Sequence, residues 1–586
     1  MVATQPPVRG ADRRQALLAF AVVALVSIWI WRGAFDAGWI SEDTSVVRHL
    51  ATHAGAADWF QAQYGMTSIR FWRPLVTASL ELQLWLCGAD PGALRLLNMA
   101  AHVVGAFLVF QLARALHCGV VGSLAAALAA ATFPFQGGTA VWIVGRVDAL
   151  AWPFVVAAAL AAARGRAAVA ALFVVLALAT KEIGAAAVPL ALAAAFQSPH
   201  LEPKLRRRTM LWVCAGGALA LTWRAFALGT FVGGYPGTEL FAAPLASARH
   251  GIAALGALPG VVVFVALLAL LARSVRRRVL IVGVVGALAA LAIVAPLLAD
   301  GVPRLEHRRW LIVPDGCVCL AAGALIGRLR VRASDPVRAI PALAATLLVV
   351  AGIGWRIADA REDVVAWTRA SVEAQSFVDR LAETLADEPV RDEPLFAVDV
   401  PRLSSDGRAY TLHLGLADRF RAPIGTPGPR EVWPWRALHG QVDLRPLASV
   451  RGGAWRIEEF AGDFELAGPE HIELRGADSG KVRLAPRAQE DAVGMRVLLA
   501  TELGYDIALL APWDAAGDAA GAEPGWPLEP MLGASGATQL WRTLLFASEA
   551  GARRAYLALV AADGRTSRFV LLTWDDATVD VLRAAG

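Results

Sequence analysis

Repeated apolar runs, each close to the thickness of a bilayer, govern what this chain can become. A hydrocarbon core about 30 Å thick is crossed by about 20 helical residues at about 1.5 Å each. Runs of this kind cover 16–34, 93–116, 119–135, 209–231, 251–272, 279–299, 310–327 and 339–356. Three shorter Ala-rich runs, 149–163, 167–180 and 183–197, are separated by Arg164-Gly165-Arg166 and Lys181-Glu182. Read as three spans, they bring the total to eleven. Read with a re-entrant pair, they lower it by two and leave both termini on the same sides.

Charge divides the chain where the runs end. Residues 1–356 hold 31 Lys and Arg against 15 Asp and Glu, and residues 357–586 hold 24 against 35. A basic apolar part joined to an acidic part points to two environments rather than one globule. The basic pI does not imply nucleic acid, because the basic residues lie between apolar runs. Five cysteines all precede residue 320, and none falls in a zinc-ligand pattern with histidine.

The positive-inside rule fixes an expected orientation. With Arg9, Arg13 and Arg14 in the cytoplasm, eleven spans also place Arg164–Arg166, Lys204–Arg208, Arg273–Arg278 and Arg328–Arg338 there. The acidic C-terminal part then lies outside the cytoplasm, as expected for a multi-pass protein of an inner (plasma) membrane. The first outer loop, 35–92, is long and carries Glu42, Asp43, His49 and Arg73-Pro74, with 75–88 semi-apolar enough to lie along the interface. Arg95, Asn98, His102 and Arg224 sit within spans. Arg95, near a span end, is expected to reach the interface, and Asn98 and His102 share a helix face.

Residues 357–393 read as an amphipathic connecting helix, with Val364, Trp367, Val372, Phe377, Leu381 and Leu385 near helical spacing. From 394 onward, alternating runs such as LFAVDV, YTLHLGL, WRIEEF, HIELR, KVRLA, MRVLLA, TLLFAS, AYLALV and RFVLLTW predict a β-rich, sandwich-like module. Asp563-Gly564 signals a hairpin, and 512–537 reads as a loop.

Four stretches in order resemble the GT-C membrane glycosyltransferases, nearest to the O-mannosyltransferases with transmembrane and tetratricopeptide-repeat regions and their bacterial relatives. They are Ser41-Glu42-Asp43; Trp72-Arg73-Pro74-Leu75 followed by Gly88, Asn98 and His102; FPFQGGTAVWIVGRVD at 133–148; and Thr180-Lys181-Glu182 with Pro189. Arg224 with LGTFVGGY and the 309–316 stretch also fit. Phe133, Gln136 and Gly138 stand where the family has His, His and Glu, and the repeats are missing. The resemblance covers roughly 30–330. It implies a GT-C-like helical core that moves a sugar, mannose in the nearest family, from a polyprenyl-phosphate donor to an extracytoplasmic protein or glycan acceptor.

The residue chemistry is compatible with that implication. Inverting transfer needs a carboxylate to take the acceptor's proton and cations to neutralise the phosphate leaving group. Glu42, Asp43 and Asp148 are the candidate catalytic acids. Arg73, Arg146, Lys181 and Arg224 are the candidate phosphate-binding cations, with Asn98, His102 and Glu182 supporting them. No metal or certain cofactor is implied beyond the lipid-linked sugar. The plainer reading makes Glu42 and Asp43 solvated loop acids, Arg146 and Asp148 a local ion pair, and Lys181-Glu182 helix punctuation. Two other functions stay open: a non-catalytic membrane scaffold that binds lipid-linked glycan, and a transporter. A transporter calls for a polar cavity at the midplane, an enzyme for Glu42 or Asp43 near Asp148 among several cations.

Overall fold

The computed structural model describes residues 9–434 apart from 54–70, 229–276, 296–307, 327–335 and three single positions, and, beyond 434, chiefly the strands named below. The span expected at 251–272 lies outside the described residues. The helices in chain order are α1 (Arg9–Trp31), α2 (Asp43–His53), α3 (Pro74–Cys87), α4 (Pro91–Ala115), α5 (Val120–Ala131), α6 (Arg146–Ala163), α7 (Ala167–Leu178), α8 (Ala187–Gln197), α9 (Pro203–Leu228), α10 (Arg277–Val294), α11 (Ile312–Ile326) and α12 (Pro336–Leu385). Four of the described helices are long and apolar enough to cross a membrane, namely α1, α4, α6 and α9, and shorter apolar helices pack beside them. The chain is therefore a polytopic α-helical membrane protein with a strand-containing C-terminal part.

Local chemistry sets the helix ends. Asp90 caps α4, accepting from the backbone N–H groups of Gly92 and Ala93 at 2.7 and 3.1 Å, and Pro91 takes the first position, where no N–H is needed. Pro74 does the same for α3. On α3, Leu82, Trp85 and Leu86 are exposed, as befits a helix lying at an apolar interface.

Of the three short Ala-rich helices, α7 and α8 each run the length of α6. Lys181, after α7, reaches Asp148 at the start of α6, and Ser198, after α8, donates to the carbonyl of Ala163 at its end, at 2.7 Å. Small side chains let these helices approach closely, so van der Waals packing holds them together where lipid offers no hydrophobic drive. Cβ atoms added at Gly216 and Gly283 would lie 2.8 Å from the carbonyl of Ala171 and 2.7 Å from that of Cys317.

A buried ion pair ties three helices together within the bundle. Arg356 grips Asp315 with two hydrogen bonds, of 3.0 and 2.6 Å, and its Nε donates to the carbonyl of Ala129 at 3.0 Å. This joins α11, α12 and α5. Neither residue stands out in the sequence, because they are 41 positions apart.

The amphipathic segment after 356 is not a separate helix. It continues the preceding span as the 50-residue α12, since neither proline nor a turn breaks the backbone where the apolar run gives way to charge. Its last turns present Ala374, Phe377, Val378, Leu381 and Leu385 to Leu395, Ala397, Val432 and Val450. The sheet they cover comprises β1 (Leu395–Val398), β2 (Val432–Pro434), β3 (Ala448–Arg451) and β4 (Ile457–Glu459) in the order β2-β1-β3-β4, with β1 parallel to both neighbours. A parallel centre backed by a helix differs from the sandwich expected from the strand spacing; apolar β1 needs a cover, and α12 supplies it.

YTLHLGL is not a strand. Its Tyr410 makes an isolated bridge to Leu403, and the carbonyls of Thr411 and Gly415 accept from the Ser41 N–H and the Thr44 hydroxyl at the start of α2. Further along come β5 (His471–Glu473), β6 (Arg475–Gly476), β7 (Val482–Leu484), β8 (Arg496–Ala500), β9 (Ile507–Leu510), β10 (Trp526–Leu528), β11 (Arg554–Val560) and β12 (Val570–Thr573). They form the sheets β5-β12-β11-β8-β9 and β10-β7-β6. β11 and β12 pair antiparallel, as the hairpin signal predicts, although Asp563-Gly564 itself lies outside the described residues. TLLFAS also lies outside them, and β10 interrupts the stretch expected to be loop.

Candidate functional site

Two carboxylates and four cations gather at one end of the bundle. Asp148, in the first turn of α6, is fully buried, with Lys181 Nζ at 2.6 Å and Arg309 Nε at 3.1 Å. Glu182 has Arg73 Nη2 at 3.3 Å and Arg224 Nη2 at 3.0 Å. The backbone at Lys181 is extended (φ −164°, ψ 160°). Consecutive side chains in extended backbone point opposite ways, so Lys181 serves Asp148 while Glu182 serves the two arginines. The turn that follows leaves no room for a side chain at Gly184, whose Cβ would sit 2.1 Å from the carbonyl of Ala177.

The electrostatics are unbalanced in favour of an anion. Among the described residues, the four cations Arg73, Lys181, Arg224 and Arg309 pair with the two carboxylates Asp148 and Glu182. Arg224 Nη1 and Arg309 Nη1 are buried with no hydrogen-bond acceptor among the described residues. A buried donor left unsatisfied costs about 1–3 kcal/mol, a cost that an incoming anionic oxygen would remove. Arg309 also lies 4.2 Å over the Trp142 ring, and Lys181 lies 5.3 Å from the Trp310 ring centre. Arg309 was outside the candidate set, although the 309–316 stretch that resembles the family begins with it.

Glu42 and Asp43 have different surroundings. Asp43 is fully buried and accepts from the backbone N–H groups of Val144 at 3.0 Å and Ile40 at 3.3 Å. It thereby ties the start of α2 to the loop that leads into Asp148. Burial raises its pKa to about 7, against the pull of the Val144 N–H and of Arg95. Glu42 is only half-buried, with the Ser41 hydroxyl donating to it at 3.0 Å. A carboxyl whose folded pKa is raised stabilises the fold at low pH, and that stability is lost as pH rises through the folded value. Thermal stability is therefore expected to fall between about pH 4 and 7, and Asp43→Asn to flatten part of that fall in a melting series.

The remaining candidates lie inside the scaffold. Arg146 Nε donates to Asn98 Oδ1 at 2.9 Å, and its Nη2 bonds the carbonyl of Leu94. Asn98 Nδ2 donates to the carbonyls of Trp142 and Ile143 at 3.0 and 3.2 Å. His102 Nε2 is 3.0 Å from the carbonyl of Ala131. Arg95 does not reach an interface. It is buried, donating to the carbonyls of Val141 at 2.9 Å and Gly38 at 2.8 Å and bonding that of Ala37. These four side chains hold the 131–146 segment against α4, which leaves Arg146 turned away from the Lys181 cluster.

That segment contains a π-helical turn, Gly137–Val141. Gln136 accepts from Trp31 Nε1 at 2.6 Å and donates to the carbonyl of Ala131 at 2.7 Å, so it too ties helices together. Asp363 on α12 accepts from the N–H of Gly137 at 2.7 Å, and Trp367 stacks on Trp142 with ring centres 5.1 Å apart. A Cβ at Gly137 would fall 2.0 Å from Trp367 Cδ1. Gly137→Ala is expected to cost about 1–3 kcal/mol through overpacking, seen as a lower melting temperature. Ser45 donates to Asp418 at 2.5 Å, and Arg419 Nη2 donates to the carbonyl of Trp39 at 2.7 Å. The residues after β1 thus dock on α2 and on the loop before it.

Fold and site together define a polytopic membrane protein with a buried, cation-rich cluster at one end of its bundle. No family model and no curated protein matches the chain. Among solved structures, it is similar to ArnT from Cupriavidus metallidurans bound to undecaprenyl phosphate, with 14% identity, 72% of this chain and 86% of that chain covered, and a TM-score of 0.46. It is also similar to the arabinofuranosyltransferase AftD from Mycobacteria, with 16% identity, 72% and 32% coverage, and a TM-score of 0.42.

Proposed function

We propose that this chain is a GT-C-type glycosyltransferase that moves a sugar, with mannose the first candidate, from a polyprenyl-phosphate donor to an extracytoplasmic protein or glycan. The observation that carries the reading is the cluster itself. Arg73, Lys181, Arg224 and Arg309 surround Asp148 and Glu182, and buried N–H groups of Arg224 and Arg309 lack acceptors among the described residues. A lipid phosphate would supply those acceptors and be neutralised as it leaves. Glu42 is the base in this reading, because Asp43 is occupied by backbone N–H groups. Asp148 holds Lys181 and Arg309 in place, and Arg146, Asn98 and His102 shape the loop.

The positive-inside rule, applied to Arg164 and Arg166 at the opposite end, supports an extracytoplasmic position for the cluster in an inner membrane. The test is binding of undecaprenyl phosphate to purified protein. Arg224→Ala is expected to weaken binding at least tenfold, with the melting temperature checked in parallel. Equal binding by wild type and variant would remove the cluster from the donor site.

The scaffold reading draws on a different observation: both carboxylates of the cluster are already ion-paired, and Gly138 stands where the family has an acid. Binding without transfer would favour it.

A further inference from the structure

A groove of about 300 Å³ opens between α4, α6 and α7 and runs along α6 toward the end of the bundle opposite the Asp148 cluster. Pro153, Ala157 and Ala161 of α6 line its floor at intervals of one helical turn. Val104 and Leu108 of α4 form one wall, and Val169 and Phe173 of α7 the other. Val104 and Val169 are 43% and 39% exposed, so the walls stand proud of the small residues between them. At its end the groove meets Arg164 and Arg166, both exposed and both in its lining, with no carboxylate among the lining residues. Arg164 also donates to Gln111 at 3.0 Å.

The dimensions select an occupant. From Pro153 to Arg164 is eleven helical steps, about 16 Å at 1.5 Å per residue, close to half of a hydrocarbon core about 30 Å thick. An apolar channel one leaflet deep, ending in two guanidinium groups, matches one acyl chain and its headgroup phosphate. Basic pockets between transmembrane helices on the cytoplasmic side bind anionic headgroups in this way.

We propose that this groove is a specific site for an anionic phospholipid of the leaflet that faces Arg164 and Arg166. Its chain lies over Ala157 and Ala161 between the valines, and its phosphate is held by Arg164 and Arg166. The site is independent of the sugar-donor reading, since none of its lining residues belongs to the Asp148 cluster and its two arginines lie at the other end of the helices.

The test uses the full chain, purified in detergent and analysed by native mass spectrometry after incubation with dioleoyl phosphatidylglycerol or dioleoyl phosphatidylcholine. Wild type is expected to retain phosphatidylglycerol over phosphatidylcholine. Arg164→Gln/Arg166→Gln is expected to cut that retention about tenfold. Val104→Trp, which fills the groove from its exposed rim and leaves the charge unchanged, is expected to reduce retention as well. A melting curve establishes that each variant is folded. Equal retention of the two lipids by wild type overturns the proposal. So does a loss confined to the arginine variant with Val104→Trp unaffected, because that pattern describes attraction to a basic surface and not a built groove.

Discussion

Asp148→Asn is expected to be the most destabilising single change at the cluster, by about 3–5 kcal/mol. The carboxylate is fully buried, with Lys181 Nζ at 2.6 Å and Arg309 Nε at 3.1 Å. An amide leaves two cations facing each other with no counter-charge in a water-poor site. The expected outcome is a sharp fall in folded protein recovered from membranes and a lower melting temperature. Arg309→Met in the same chain is expected to restore part of the loss by removing one stranded cation. Equal stability of Asp148→Asn and wild type would show that water or an unseen anion already screens the pair.

Glu42→Gln is expected to have the largest effect on chemistry. Loss of a positioned general base lowers the rate by about 10²–10⁴-fold. Glu42 is half-buried at the start of α2, so the change costs little stability, and lipid-phosphate binding is expected to persist. Asp43→Asn behaves differently. Because Asp43 accepts from the N–H groups of Val144 and Ile40, its variant is expected to lose structure in the 143–148 loop, read as faster proteolysis there. Equal transfer by Glu42→Gln and wild type would move the base elsewhere.

Much of the helical architecture was legible because bilayer thickness demands long apolar runs, and seven of the expected spans correspond to described helices, in the same order, as far as α9. Local motif grammar also drew attention to Asp148, Lys181 and Glu182. Side-chain direction was less legible. Arg146 and Asp148 are two residues apart, about 200° around a helix, so one turns toward Asn98 and the other toward Lys181. Long-range partners left no local signal: Asp363 meets Gly137 across 226 positions, and Arg356 meets Asp315 across 41. The parallel-centred sheet was missed for a related reason. Strand periodicity shows which residues alternate, but not that α12 would cover one face of β1.

Gly138 stands where the family that the motifs resemble has an acid, and a carboxyl group reaches the same turn from another element. Asp363, whose pKa burial raises to about 7, bonds the N–H of neighbouring Gly137. A carboxylate is therefore present at this turn, supplied from α12 and not from the turn itself.

The most direct measurement is sugar transfer by wild-type membranes from a panel of radiolabelled polyprenyl-phosphate sugars, mannose first. The account expects label to leave one of these lipids for a protein or glycan acceptor, and to stay on the lipid in Glu42→Gln membranes. No transfer from any member of the panel, with lipid binding intact, would contradict it and leave a membrane scaffold that holds lipid-linked glycan.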